Sequence, residues 1–273
     1  MLVQALVMGI VQGLTEFLPI SSSGHLIIVP YLAGWDDAFI RSLGFSVMLH
    51  LGTLIALLGY FWRDWTRLVP AGLATLRDRS FAGDRDRRMA WLLAVSTVPA
   101  VIAGLLLDEV IESRFRQPGL VAIMLAVGGA ILWLADRWGS KDRPMDGLSF
   151  RAALGIGAAQ ALALVPGVSR SGISISAGLL AGMDRASAAR FSFLMATPVI
   201  AGAGAWEARK LLSGAGGAGI EAGPLLAGMV AALISGMAAI HLLLRFLRTN
   251  SPAVFVAYRA VLAAVVVAAF LRP

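Results

Sequence analysis

Six ionisable side chains sit in otherwise apolar stretches of this sequence: Glu16, His25, His50, Arg170, His241 and Arg259. Charge in apolar surroundings is costly, so each of them is a functional candidate. Glu16 follows Gln12 by four residues, which puts both on one face of a helix. They lead into Ser21-Ser22-Ser23-Gly24-His25. A serine cluster ahead of an apolar run can cap a helix, and a helix start also offers free N–H groups and a positive dipole end to an anion. Ser169-Arg170-Ser171-Gly172 repeats the arrangement and adds a guanidinium, whose planar fork suits phosphate oxygens. A carboxylate, an arginine, several hydroxyls and two helix starts together describe a phosphate site with an accompanying cation. A Glu16–Arg170 ion pair that merely ties the two segments together is the plainer alternative.

The elements that must position these groups are membrane helices. Of 273 residues, 58% are apolar and 14% charged, where soluble domains carry about 25% charge. Mean hydropathy is +0.80. Both figures exclude a water-soluble enzyme, and zero cysteines exclude disulfides, thiolate metal sites and cysteine catalysis. Six runs have spanning length: Leu43 to Phe61, Met89 to Leu107, Gln117 to Ala135, Phe191 to Trp206, Ala222 to Leu244 and Ser251 to Leu271. Two further apolar regions are interrupted, Met1 to Pro30 by Leu18-Pro19-Ile20-Ser21-Ser22-Ser23-Gly24 and Ala152 to Met183 by Val165 to Gly172. Broken backbone at membrane depth is tolerated only where protein or water satisfies it, so these read as re-entrant hairpins.

The halves align with each other. Gly9-x-x-Gln12 recurs as Gly157-x-x-Gln160 and Ser21 to Gly24 as Ser169 to Gly172, both 148 residues on, while Phe45-Ser46 recurs as Phe191-Ser192. The expected fold is therefore one all-α integral membrane domain over 1–273, an inverted repeat of six spanning helices plus two re-entrant helical hairpins. Its first half, 1–140, holds hairpin 1–33 and three spans; its second, 150–273, holds hairpin 150–183 and three more. Three spans are an odd number, so the second hairpin enters from the opposite side and the two tips meet near the midplane.

Orientation follows from basic residues in the connections. Arg63 to Arg88 holds seven, Arg137 to Arg151 four, Asp184 to Arg190 two and Arg245 to Arg248 two, which makes fifteen on one side. Arg41, Arg114, Arg116, Arg209, Lys210 and Arg272 make six on the other. The fifteen belong in the cytoplasm, and the first hairpin opens outward. The net charge of +7 is thereby placed in loops, and no nucleic-acid partner is expected. Trp62, Trp65, Trp133 and Trp138 fall at span ends, as an interfacial aromatic belt would place them.

Gly9-x-x-Gln12-Gly13-x-Thr15-Glu16-Phe17-Leu18-Pro19-x-Ser21-Ser22-Ser23-Gly24-His25 resembles the first signature of the undecaprenyl-pyrophosphate phosphatases, the bacitracin-resistance proteins. Pro166-Gly167-x-Ser169-Arg170-Ser171-Gly172 resembles their second. Leu51-Gly52-Thr53 and Thr97-x-Pro99 extend the resemblance over nearly the whole chain. It implies hydrolysis of undecaprenyl pyrophosphate to undecaprenyl phosphate, a divalent-cation requirement (Mg²⁺ or Ca²⁺), and a site opening to the outer face of the bacterial plasma membrane. The lipid substrate and membrane lipids are then the partners, with a homodimer left open. Carried over by position, Gln12 and Glu16 match the acidic motif and would hold the metal. His25 and the serines before it match the catalytic region, and Ser169, Arg170 and Ser171 the phosphate-binding signature. Gly172 and Ser174 extend that binding set. Two departures stand out: glutamine at 12 lacks the charge of the alternative glutamate, and Ser174 replaces a usual threonine.

The chemistry is consistent from the residues up. Mg²⁺ or Ca²⁺ commonly takes one or two carboxylates plus substrate phosphates, so Glu16 suffices to recruit it, with Gln12 as a neutral oxygen ligand. Metal and Arg170 would stabilise the charge of the phosphoryl groups. The attacking group is either Ser22, with His25 one turn on as base, or a water activated by His25. His50 reads as a packed, hydrogen-bonded histidine, His241 as an interfacial side chain, and Arg259 as structurally paired or snorkelling. Arg77 to Arg88 reads as a solvated loop. A polyprenyl-phosphate transporter, or flippase, built on the same inverted repeat is the competing function.

Overall fold

The apolar runs fold into helices that mostly outrun their uncharged cores, because Arg and Asp residues at the ends extend them into the interface. The computed structural model describes residues 1–80, 84–115, 117–212 and 221–271, without the side chains of 43, 108–114, 207–208 and 210–212. Of the basic residues counted above, Arg116 and Arg272 lie outside the described residues, as do the side chains of Arg114 and Lys210. The described residues form α1 Leu2–Phe17, α2 Ser22–Ala33, α3 Leu43–Tyr60, α4 Trp62–Asp78, α5 Arg85–Arg114, α6 Pro118–Trp138, α7 Phe150–Ala161, α8 Arg170–Leu180, α9 Arg185–Leu212, α10 Ala222–Phe246 and α11 Ala253–Phe270. Among them the one β feature is an isolated bridge between Arg143 and Met183.

Five stretches are long and apolar enough to cross a membrane unaided: Arg85–Leu107, Pro118–Trp138, Arg185–Trp206, Ala222–Phe246 and Ala253–Phe270. The chain is an all-α integral membrane protein. The sixth expected span, α3, has the same 18 residues as α11, but it is followed at once by α4, from which it is bent by 82°. The bend falls at Phe61, whose φ of −101° and ψ of 22° leave the helical region. Beyond it the chain is amphipathic: Leu68 and Thr75 of α4 are buried, Val69, Leu73 and Leu76 are exposed, and arginines take the remaining face. The expected basic connection from Arg63 to Arg88 is therefore mostly helix, its apolar spacing hidden by its charge. Of the expected solvated run Arg77 to Arg88, residues 81–83 lie outside the described residues.

Two places lack regular helix where the sequence is broken. α1 stops at Phe17 and α2 starts at Ser22; α7 passes through a 3-10 turn, Leu162–Leu164, before α8 starts at Arg170. The restarts are built alike. Ser21 and Ser169 have φ of 75° and 78°, unusual for residues with a Cβ, and each caps its helix by accepting from the glycine three residues on. The two breaks touch: Gly167 N–H donates to Ser21 Oγ at 3.1 Å, and Ser171 Oγ donates to the Leu18 carbonyl at 3.1 Å.

Packing is exchanged between the halves. α1 lies along α10, and α7 along α5. Both contacts need glycine: a Cβ on Gly9 would overlap the Gly228 carbonyl, and one on Gly157 the Ser96 carbonyl. Gly9 and Gly157 are the pair related by the 148-residue offset, and small residues are what allow membrane helices to approach this closely.

Arg259 of α11 holds the breaks in place. It is completely buried and donates to the carbonyls of Pro19, Gly167 and Val168 in the two breaks and of Met124 and Leu125 in α6, at 2.8–3.3 Å. The expectation of a structural pairing holds, with carbonyls as the partners, and the side chain does not snorkel. Arg259→Met would strip three irregular carbonyls of their donor at about 1–3 kcal/mol each. Against a total stability of about 5–15 kcal/mol, a fall of several kcal/mol is expected. Thermal unfolding in detergent checks it.

Candidate active site

The groups that converge do so on Glu16, at the buried end of α1. Gln12 Nε2, one turn earlier, donates to Glu16 Oε2 at 3.0 Å. Ser22, the first residue of α2, donates its hydroxyl to the same oxygen at 2.5 Å. Arg170, the first residue of α8, brings Nη1 to 3.4 Å from Oε1. Glu16 is 6% exposed and the Arg170 side chain 26%, so the pair has a dry end and an accessible end. Phe17, next in the chain, is buried and meets Phe193 edge to face at 5.4 Å. The carboxylate and the arginine lie 154 residues apart in sequence and meet only because the two breaks touch.

His50 of α3 also belongs to this cluster. Its Nε2 lies 3.3 Å from Glu16 Oε2, and its Nδ1 lies 2.7 Å from the Ser46 carbonyl. The expected packed, hydrogen-bonded histidine is found, and its contact with Glu16 is an addition that the sequence reading did not contain. Nothing in its own apolar surroundings, Leu49-His50-Leu51, signals the contact.

His25 is arranged differently from expectation. Its Nδ1 lies 2.7 Å from the Ser21 carbonyl, and its Nε2 lies 2.7 Å from the Tyr258 hydroxyl. A carbonyl can only accept, so Nδ1 donates; in the neutral ring Nε2 then accepts from the Tyr258 O–H. The two rings lie nearly parallel, 5.7 Å apart. The expected Ser22–His25 pair is therefore not formed. At a helix start, a residue four positions after the cap can turn back onto the cap carbonyl, and this takes His25 away from its neighbour. Tyr258 was not singled out from sequence, because a tyrosine in a terminal span resembles any interfacial aromatic.

The other serines hold backbone. Ser21 and Ser169 cap α2 and α8, and their hydroxyls lie 3.4 and 3.3 Å from those of Ser23 and Ser171. Gly172 sits in a tight place: a Cβ there would lie 3.0 Å from Arg259 Nη1 and 3.1 Å from Ser169 Cβ, so these neighbours would have to give by a few tenths of an ångström. Ser174 donates to the Arg170 carbonyl and meets Ser192 Oγ, each at 2.6 Å, so it faces α9 and not Glu16. His241 lies 3.3 Å from the Tyr60 hydroxyl, remote from the cluster.

The family model described as bacitracin resistance protein BacA matches residues 5–265. The chain belongs to this family. BacA-family relatives named undecaprenyl-diphosphatase include one from Moorella thermoacetica, 45% identical over 98% of this chain and 97% of its own. Another, from Desulforudis audaxviator, is 44% identical over 98% of each chain. A third, from Geobacter sulfurreducens, is 48% identical over 94% of each. The BacA resemblance read from the two signatures is thus borne out along the chain.

The residues fit a cation that needs few protein ligands. Among the described residues no three His, Cys, Asp or Glu side chains gather into a metal cage. Gln12 turns its amide nitrogen to Glu16 and leaves Oε1 buried without a hydrogen-bond partner. With the two ends of that amide exchanged, a carboxylate and an amide oxygen would face each other, a pair that suits a hard cation whose remaining positions are filled by substrate phosphates.

Proposed function

We propose that this protein is an undecaprenyl-diphosphatase, a multi-pass membrane hydrolase that removes the terminal phosphate of undecaprenyl pyrophosphate and so returns the lipid carrier to cell-wall synthesis. The observation that carries the reading is the meeting of Glu16, Ser22 and Arg170 at two touching helix breaks. A carboxylate that holds a hydroxyl, set opposite an arginine at a helix start, is equipment for phosphoryl transfer, whereas binding alone needs no such hydroxyl.

In this reading the Arg170 fork and the free N–H groups in the first turns of α2 and α8 take the phosphoryl oxygens. The Ser22 hydroxyl already donates to Glu16, so Glu16 is placed to receive its proton as the oxygen attacks the terminal phosphorus. The anhydride P–O bond breaks and undecaprenyl phosphate leaves, after which water hydrolyses the phosphoserine to free phosphate. A water held by Glu16 in the place of that hydroxyl would need the same base. Tyr258 and the Ser21 carbonyl fix the His25 ring at the wall of the site. Glu16 and Gln12 would hold the divalent cation, which supplies neutralising charge to the diphosphate. The serines at 21, 23, 169, 171 and 174 then keep both helix starts in the geometry that presents their N–H groups.

Two broken helices at membrane depth also support re-entrant hairpins in an inverted repeat, with halves 1–140 and 150–273 and a site opening outward. The absence of cysteine makes single-cysteine reporters clean. Asp36→Cys, in the α2–α3 connection, is expected to react with an impermeant maleimide on intact cells, and Arg79→Cys, at the end of α4, only after permeabilisation. The reverse pattern would overturn the orientation.

Phosphate release from undecaprenyl pyrophosphate by the detergent-purified chain tests the activity itself. An enzyme releases phosphate in detergent. A carrier would move the lipid across vesicles and release none, and that result would replace the phosphatase by the transporter.

A further inference from the structure

The Glu16 carboxylate faces a ring nitrogen of His50 whose other nitrogen is held by backbone. His50 Nδ1 lies 2.7 Å from the Ser46 carbonyl, and since a carbonyl cannot donate, Nδ1 carries the proton. In the neutral ring Nε2 is then a bare lone pair, and it lies 3.3 Å from Glu16 Oε2. A bare lone pair and a carboxylate oxygen at that range repel unless a positive charge, a proton or a metal ion, stands between them. The wiring of His50 is that of a metal-bound histidine, in which the other ring N–H is anchored on a backbone carbonyl and the free nitrogen is aimed at the ion.

Two more observations point to the same place. Gln12 is fully buried and its Oε1 has no hydrogen-bond partner. Its amide nitrogen already reaches Glu16 Oε2, so exchanging the two ends of the amide would bring the oxygen there. In addition, two ligand atoms about 2.1 Å from one ion, at nearly a right angle, stand about 3 Å apart. His50 Nε2 and Glu16 Oε2 are within a few tenths of an ångström of that spacing.

We infer that His50 is a nitrogen ligand of the divalent cation recruited by Glu16, and that it turns the site's preference from Ca²⁺ toward Mn²⁺. The inference rests on the phosphatase reading, which places a cation at Glu16 and gives it oxygen ligands alone. Imidazole suits first-row transition ions, while Ca²⁺ prefers an all-oxygen shell. A nitrogen donor also offsets the weaker ligand at position 12, where glutamine supplies an oxygen without charge.

The test uses the detergent-purified full chain and Mn²⁺ as the probe. Pulsed electron paramagnetic resonance of the bound ion is expected to show ¹⁴N modulation from a directly bound imidazole. In His50→Gln the modulation should vanish while Mn²⁺ still binds, about tenfold or more weakly, with Ca²⁺ affinity changed by less than about threefold. Mn²⁺ bound without nitrogen modulation in the wild type would overturn the inference, with Glu16 and His50 then sharing a proton and the Glu16 cation left standing. Modulation that persists in His50→Gln would overturn it too, by assigning the nitrogen elsewhere. Failure of the wild type to bind Mn²⁺ at all would remove both the inference and the cation from the phosphatase reading. Should His50→Gln not fold, His50→Asn is read in the same way, and the wild-type signal decides on its own whether any nitrogen is bound.

Discussion

Arg170→Lys is expected to lose about a hundredfold in phosphate release although it keeps the charge, and Arg170→Ala about a thousandfold, with both variants still folded. The guanidinium sits at the first position of α8 with its side chain 26% exposed, and it approaches Glu16 Oε1 only to 3.4 Å. Its Nη1 is buried and makes no hydrogen bond of good geometry. Such an arginine is loosely held at the carboxylate and free to form a bidentate contact with phosphate, which a lysine cannot reproduce. Its exposure screens the ion pair, so little stability should depend on it. Turnover and unfolding temperature, measured side by side on the two variants, check both halves of the expectation.

Glu16→Gln should be as damaging, costing about a thousandfold or more in turnover. The amide keeps the shape and can still accept from Ser22, but it takes no proton and gives up the one negative charge that faces both Arg170 and His50. The contrasting variant is Gln12→Glu, which restores a second charge where Oε1 is now orphaned. It should be tolerated and should lower the cation concentration needed for half-maximal phosphate release. Near-normal turnover by Glu16→Gln, with unchanged sensitivity to chelators, would move the cation and the base elsewhere.

The parts of this site that could be read in advance are those with few other reasons to exist. Proline, glycine and serine clusters inside apolar runs announce broken helices, because nothing else places such residues at membrane depth. Ser21 and Ser169, related by the 148-residue offset, do share one backbone conformation and one capping pattern. What stayed hidden depends on tertiary contact. His50 lies 34 residues from Glu16 on another helix, and an isolated histidine among leucines carries no directional cue. Tyr258 and Arg259 are neighbours in one span with separate tasks, one on the His25 ring and the other on carbonyls of both breaks. The three-residue step from Ser22 to His25 misled, because the capping geometry spends the histidine's Nδ1 on the Ser21 carbonyl. The arginines of α4 interrupt the apolar spacing of Val69, Leu73 and Leu76, so the helix has the composition of a charged connection.

The central claim is that the Glu16–Arg170 meeting exists to turn over substrate and not to join two segments. Thermal stability and phosphate release of Glu16→Gln, Arg170→Ala and the double variant separate the two roles directly. If the pair acts in catalysis, all three unfold within a few degrees of the parent and all three release almost no phosphate. If the pair is a structural clasp, each single change leaves a buried charge uncompensated and costs roughly 3–5 kcal/mol, while the double change relieves it. Unstable single variants rescued by a stable and active double variant would contradict the account.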